Sequence, residues 1–139
     1  MSVNMRYIIR VIGFLFLFLG IGTLPPLIIA LYIGEASSVR AFACSLVFCA
    51  AAGFLTLKFC KPSNQKLKNR DRILMVSLIW LISAAVGAAP FMITGTAPTV
   101  IDAFFEGASG ISTTGATVLT QTESLGFSLL FWRSSQTPE

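Results

Sequence analysis

The chain has 139 residues, of which 55% are hydrophobic and 12% charged; it carries a net charge of +4, has no histidine, and has a mean hydropathy of +0.80. Soluble domains carry about 25% charged residues, so this composition excludes a protein with a water-facing surface. The basic excess reads as loop charge in an integral membrane protein, not as a nucleic-acid footprint. With no histidine, neither a His-based catalytic pair nor a typical zinc site is available, and no enzyme is expected.

Three apolar runs follow in chain order: residues 11–33 without a charge, residues 41–57, and residues 73–101, the last interrupted by Pro90, Gly95 and Pro98. A crossing helix needs about 20 residues. Helices are therefore expected near residues 7–33, 39–60 and 72–94, with Pro25 and Pro26 kinking the first or fraying its outer end. The first run is longer than a signal core of about 7–15 residues and no small-x-small cleavage site follows it, so a retained helix is expected. Cys44, Cys49 and Cys60 all fall in the second helical stretch, match no metal or disulfide spacing, and are read as packing residues.

Charge sets the expected topology. Arg6 and Arg10 precede the first helix, and Lys58, Lys61, Lys66, Lys68, Arg70 and Arg72 crowd the link between the second and third, whereas the first link has only Glu35 and Arg40. Short basic loops stay in the cytoplasm. The N-terminus and residues 58–72 are thus expected inside, with residues 34–40 and 95–124 outside. The basic link is read first as a topology signal, and second as a contact for anionic lipid or a cytosolic subunit.

Residues 98–120, PTVIDAFFEGASGISTTGATVLT, differ from everything before them. Pro98 stops the preceding segment, and Thr99 with Asp102 three residues on reads as a helix cap in the capping-box spacing. A helix over residues 100–110 rises only about 16 Å, about half the hydrocarbon thickness. It suits a re-entrant half-helix whose C-terminus, partly negative, stops near the membrane middle. Non-helical backbone at that depth must be buried in protein or line a wet cavity. Gly115 permits a conformation closed to other residues, so neighbouring carbonyls can turn one way and replace the hydration shell of a monovalent cation. Threonine hydroxyls add ligands or hold the loop from behind, which gives Ser112 and Thr117 as support positions.

Asp102-Ala-Phe-Phe-Glu106, Ser109-Gly110, Thr113-Thr114-Gly115-Ala116-Thr117-Val118 and Trp132-Arg133, together with Pro90-Phe91, closely resemble the first pore repeat of the Trk/Ktr/HKT potassium transporters. Within that family the Trk branch, with two helices ahead of the repeat, is most similar. The resemblance implies an all-α integral membrane fold of spanning helices plus a re-entrant pore helix and filter loop. Residues 1–60 would form two leading helices, 61–71 a basic cytoplasmic loop, and 72–139 the first helix–pore loop–helix repeat. It implies potassium uptake across the bacterial inner membrane with no cofactor, potassium being the cargo. Thr113 and Thr114 would present carbonyls to the ion, with Gly115 and Ala116 continuing the filter. Family members carry four such repeats in one chain, often dimerise, and are regulated in bacteria by a cytosolic nucleotide-binding subunit.

Two departures stand out. Serine occupies position 112, where the family often has threonine, and keeps the hydroxyl. After Trp132-Arg133 the family continues with a segment resembling Gln-Trp-Leu-Gly-Gly into a second spanning helix, whereas residues 134–139 here read SSQTPE. A first repeat cut short in its second helix is therefore expected, making the chain the N-terminal part of a transporter with one of four filter strands. The alternative is a small non-conducting membrane interaction subunit, or an inactive truncated product, packed through glycine and alanine faces.

Overall fold

The computed structural model describes residues 5–60, 69–119 and 125–136. Those residues form six helices and no β-sheet, residues 112–118 being a single unpaired strand: α1 (Met5–Gly22), α2 (Leu24–Ile33), α3 (Ala36–Phe59), α4 (Asn69–Thr94), α5 (Val100–Ile111) and α6 (Phe127–Gln136). Lys61, Lys66 and Lys68 of the basic link, Glu123, and residues 137–139 lie outside the described residues. Three helical spans are long and apolar enough to cross a membrane: Met5–Ile33, Ala36–Phe59 and Asn69–Thr94. Phe18, Tyr32, Phe54 and Trp80 are exposed on them, as suits a hydrocarbon surrounding.

The first span is two helices. Pro25 and Pro26 have no N–H to return to the preceding turn. The ladder breaks at Thr23, which stays close to helical dihedrals (φ −81, ψ −9), while the prolines occupy the first turn of α2. Fully buried Thr23 closes the gap by donating its hydroxyl to the Gly20 carbonyl at 2.7 Å. α2 ends at Gly34, whose left-handed backbone (φ 81) lets its N–H return to the Ala30 carbonyl.

α1 and α3 pack as an antiparallel pair over small residues. A Cβ on Gly20 would meet the Cys49 Cβ at 3.2 Å, and one on Gly53 would meet Leu17 at 2.7 Å, so the glycines admit the partner side chains to the helix backbone. Arg10 Nη1 donates to the Cys60 carbonyl at 3.3 Å, a cation at the C-terminal end of α3.

α4 packs most extensively on α5. Here the backbones nearly touch: a Cβ on Gly107 would lie 2.7 Å from the Ala88 nitrogen. Pro90 sits inside α4, buried, without ending it. The helix ends at Gly95 (φ 71), where Thr94 and Thr96 hydroxyls donate to the carbonyls of Pro90 and Phe91 at 2.8 and 3.2 Å. A single apolar cluster joins α3, α4, α5 and α6: Phe42, Ala88, Phe91, Ala103, Leu119, Leu125, Leu129 and Trp132. The Trp132 ring stands edge-on to Phe42 with centroids 5.9 Å apart, and its Nε1 donates to the Gly87 carbonyl at 3.3 Å.

Candidate functional site

α5 begins where the sequence places it. Thr99 Oγ1 accepts the Asp102 amide at 3.1 Å and donates to Asp102 Oδ2 at 2.7 Å. The N3 carboxylate thus takes the cap hydroxyl itself, a variant of the reciprocal capping box. Twelve residues give α5 a rise of about 18 Å, well short of a crossing.

The helix closes in a Schellman motif. Thr114 N–H bonds the Ser109 carbonyl at 3.1 Å and Thr113 N–H bonds the Gly110 carbonyl at 3.0 Å. That motif needs a left-handed residue at the position after the cap, ordinarily glycine, and here it is Thr113, at φ 54. Thr113 is the one non-glycine with positive φ among the described residues. A β-branched residue there stores backbone strain of about 1–2 kcal/mol. Gly115 follows at φ 69 with open space around its Cα. The sequence marked only Gly115 for this conformation. The two left-handed residues flank Thr114, so handedness alternates along 113–115.

Residues 112–118 are exposed on one side and braced on the other. Ser112 Oγ lies 2.8 Å from Thr114 Oγ1 and donates to the Ser109 carbonyl at 3.3 Å. Ser109 Oγ donates to the Ala116 carbonyl at 2.6 Å. Thr117 Oγ1 donates to Glu106 Oε1 at 2.6 Å, and the Val118 amide donates to the same oxygen at 2.8 Å. Glu106, 3% exposed, is then faced through Oε2 by Arg133 Nε at 3.7 Å. A carboxylate buried on the short helix therefore holds the strand from behind, and a cation on α6 balances it.

Sequence reasoning names Glu106, Ser109 and Arg133 only within the motifs of the family resemblance and does not find them as bracing groups. The available signal was a second carboxylate in the middle of a short, largely apolar helix and a single cation after an apolar run, since ionisable groups in such surroundings pair.

Three membrane-length helical spans, then a half-length capped helix that hands its chain to a braced, oxygen-rich strand, define a helical membrane protein with a helix–short helix–strand–helix unit. The chain belongs to the TrkH family: residues 38–137 match the family profile described as TrkH, cation transport protein. It is 37% identical over 132 residues to the Trk system potassium uptake protein TrkH of Salmonella typhimurium, and 33% identical over 132 residues to TrkG of Escherichia coli K12. Each alignment covers 94% of this chain and 27% of the relative. The crystal structure of the potassium transporter TrkH from Vibrio parahaemolyticus superposes with a TM-score of 0.87 at 31% identity, over 96% of this chain and 28% of that one. The chain thus spans about a quarter of the length of these relatives, which are membrane transporters rather than enzymes.

Proposed function

We propose that this chain serves potassium uptake as one filter-bearing segment of a Trk-type transporter. The carbonyls of Thr113, Thr114, Gly115 and Ala116 meet the dehydrated ion, Ala116 sharing its oxygen with Ser109 Oγ. Ser112 and Thr117 hold the strand, and Thr99 with Asp102 starts the helix that delivers it. In this reading α5 is re-entrant, entering from the outer face and stopping near mid-membrane. The N-terminus is cytoplasmic in a bacterial inner membrane. A carbonyl cage needs strands from several sides, so the unit of function is an assembly in which this strand is one of four. A homodimer and a cytosolic nucleotide-binding subunit are the partners proposed with it.

The observation that carries this reading is the left-handed pair Thr113 and Gly115 in an exposed strand directly after a half-length helix. The left-handed conformation strains Thr113 although not Gly115, and alternating handedness lets successive neutral carbonyls turn one way, as a weakly bound monovalent cation requires. The names of the relatives agree in cargo.

The test is a chimera in which this chain replaces the matching segment of E. coli TrkH, expressed in cells that need that protein to grow at low potassium. Growth and rubidium uptake by the chimera, abolished by Gly115→Val at equal membrane abundance, are the expected results. A Gly115→Val chimera that reaches the membrane and transports as well as the parent chimera would overturn the filter assignment.

A further inference from the structure

The α2–α3 link holds a carboxylate that touches the repeat at long range. Glu35 Oε1 accepts the Phe127 amide at 2.9 Å, and Oε2 accepts the Ser128 hydroxyl, partners 92 and 93 residues away in sequence. At the head of α6, the carbonyl of Gly126 receives the Leu129 and Leu130 amides at 3.0 and 3.1 Å. Gly126 therefore stands at the cap position but has no side chain to cap with. A Cβ on Gly126 would lie 2.5 Å from Glu35 Oε2, so the glycine is what admits the carboxylate. Glu35 thus caps α6 from another part of the chain, with a negative charge at the positive helix end.

α6 is a ten-residue helix, below the length that holds itself together in isolation. Its placement rests on this cap and on buried Ser128, Leu129 and Trp132. The same helix presents Arg133 to Glu106, and Glu106 holds Thr117 and Val118. Two sets of polar contacts, joined by the body of α6, thus connect the leading helices to the back of the 112–118 strand.

We propose that Glu35 is a positioning residue for the filter strand: it docks the leading helices on the head of α6 and so sets the height at which Arg133 meets Glu106. This rests on the reading of residues 113–116 as an ion filter, but its structural half does not. The leading helices are then part of the selectivity apparatus, acting through α6 and not through contact with the ion.

Amide hydrogen exchange on the chain in lipid nanodiscs tests the structural half. In Glu35→Ala the Phe127 and Val118 amides are expected to exchange about tenfold faster, the scale of a lost charge-assisted hydrogen bond. Amides in the middle of α3 should stay within about twofold of the parent chain. Ser128→Ala, which leaves the Glu35–Phe127 contact intact, should give a smaller rise at the same two amides and serves if the alanine variant at Glu35 does not fold. Acceleration at Phe127 with Val118 unchanged would reduce Glu35 to a local cap and overturn the proposal. In the E. coli TrkH chimera, Glu35→Ala should lower the potassium-to-sodium uptake ratio at equal membrane abundance, and an unchanged ratio would also overturn it. A parent chimera that moves no potassium defeats the transport reading instead, and the exchange experiment still decides whether Glu35 positions the strand.

Discussion

The Glu106 carboxylate and the Val118 amide, twelve residues apart, meet at 2.8 Å with Glu106 almost fully buried. The same oxygen holds Thr117, so one side chain of the short helix fixes two consecutive residues of the strand that follows it.

Glu106→Ala removes the acceptor for two donors and the carboxylate that Arg133 faces. A loss of about 3 kcal/mol is expected in unfolding measured in mixed micelles. Glu106→Gln keeps one acceptor oxygen for Thr117 and Val118 but turns a neutral NH2 toward Arg133 in place of the second carboxylate oxygen, so it should cost less than the alanine variant. Equal losses for the two variants would show that the ion pair, not the hydrogen bonds, is what matters here.

Thr113 occupies a position where glycine is the unstrained choice. Thr113→Gly should therefore raise stability by about 1 kcal/mol, read as a higher Tm, while lowering the selectivity of the chimera for potassium over sodium because the alternating backbone is no longer held. A Tm that falls would mean that the hydrogen bond from Thr113 Oγ1 to the Ser112 carbonyl, 2.7 Å, outweighs the backbone strain.

Gly34 and Gly115 share a left-handed backbone, φ 81 and 69, and neither has an atom within 4 Å of a built Cβ. Valine at either should carry a similar backbone cost of about 1–2 kcal/mol. Only Gly115→Val is expected to abolish rubidium uptake, and loss of uptake in both variants would trace the effect to general destabilisation or to displacement of the neighbouring Glu35.

Gly107→Val forces α4 and α5 apart, because its Cβ would meet the Ala88 nitrogen at 2.7 Å and the Gly87 carbonyl carbon at 3.1 Å. A cost of at least about 1–3 kcal/mol is expected. Gly22→Ala, with nothing within 4 Å, should change Tm little. The difference between the two melting temperatures measures the close helix contact.

Glu35 gives a pH dependence with a definite sign. Partial burial pushes its carboxyl up, but hydrogen bonds from the Ser128 and Ser38 side chains and the Phe127 and Ser128 amides together outweigh this and hold it below the usual glutamate range. The stability it contributes is present above the ordinary glutamate value and is lost as pH falls through the lower folded value. Exchange at Phe127 should therefore be flat at neutral pH, after correction for intrinsic rates, and accelerate only in the acid range. Glu35→Gln should remove that acid step.

The crossing spans were legible because about twenty apolar residues in a row have few other solutions. The helix break was half legible: Pro25 and Pro26 announced a disturbance, but its position at Thr23 depends on a hydroxyl reaching Gly20. The start of the short helix was legible in Pro98, Thr99 and Asp102, since capping is a local matter of a few residues. Gly115 was legible for the same reason. Thr113 was not, because nothing in a threonine announces that a Schellman turn will force it left-handed.

Composition and order alone determined an all-helical membrane chain with a short capped helix and an oxygen-rich strand, because hydropathy, caps and glycine act over a few neighbouring residues. Only the tertiary structure decided which groups stand behind that strand. Glu106 reaches Thr117 and Val118 across eleven and twelve residues, Trp132 reaches Gly87 across 45, and Glu35 reaches the head of α6 across 92. Each of these contacts exists because helix packing brings distant segments within hydrogen-bond range, where a buried polar group must find a partner, and no local pattern in the sequence states which partner that is.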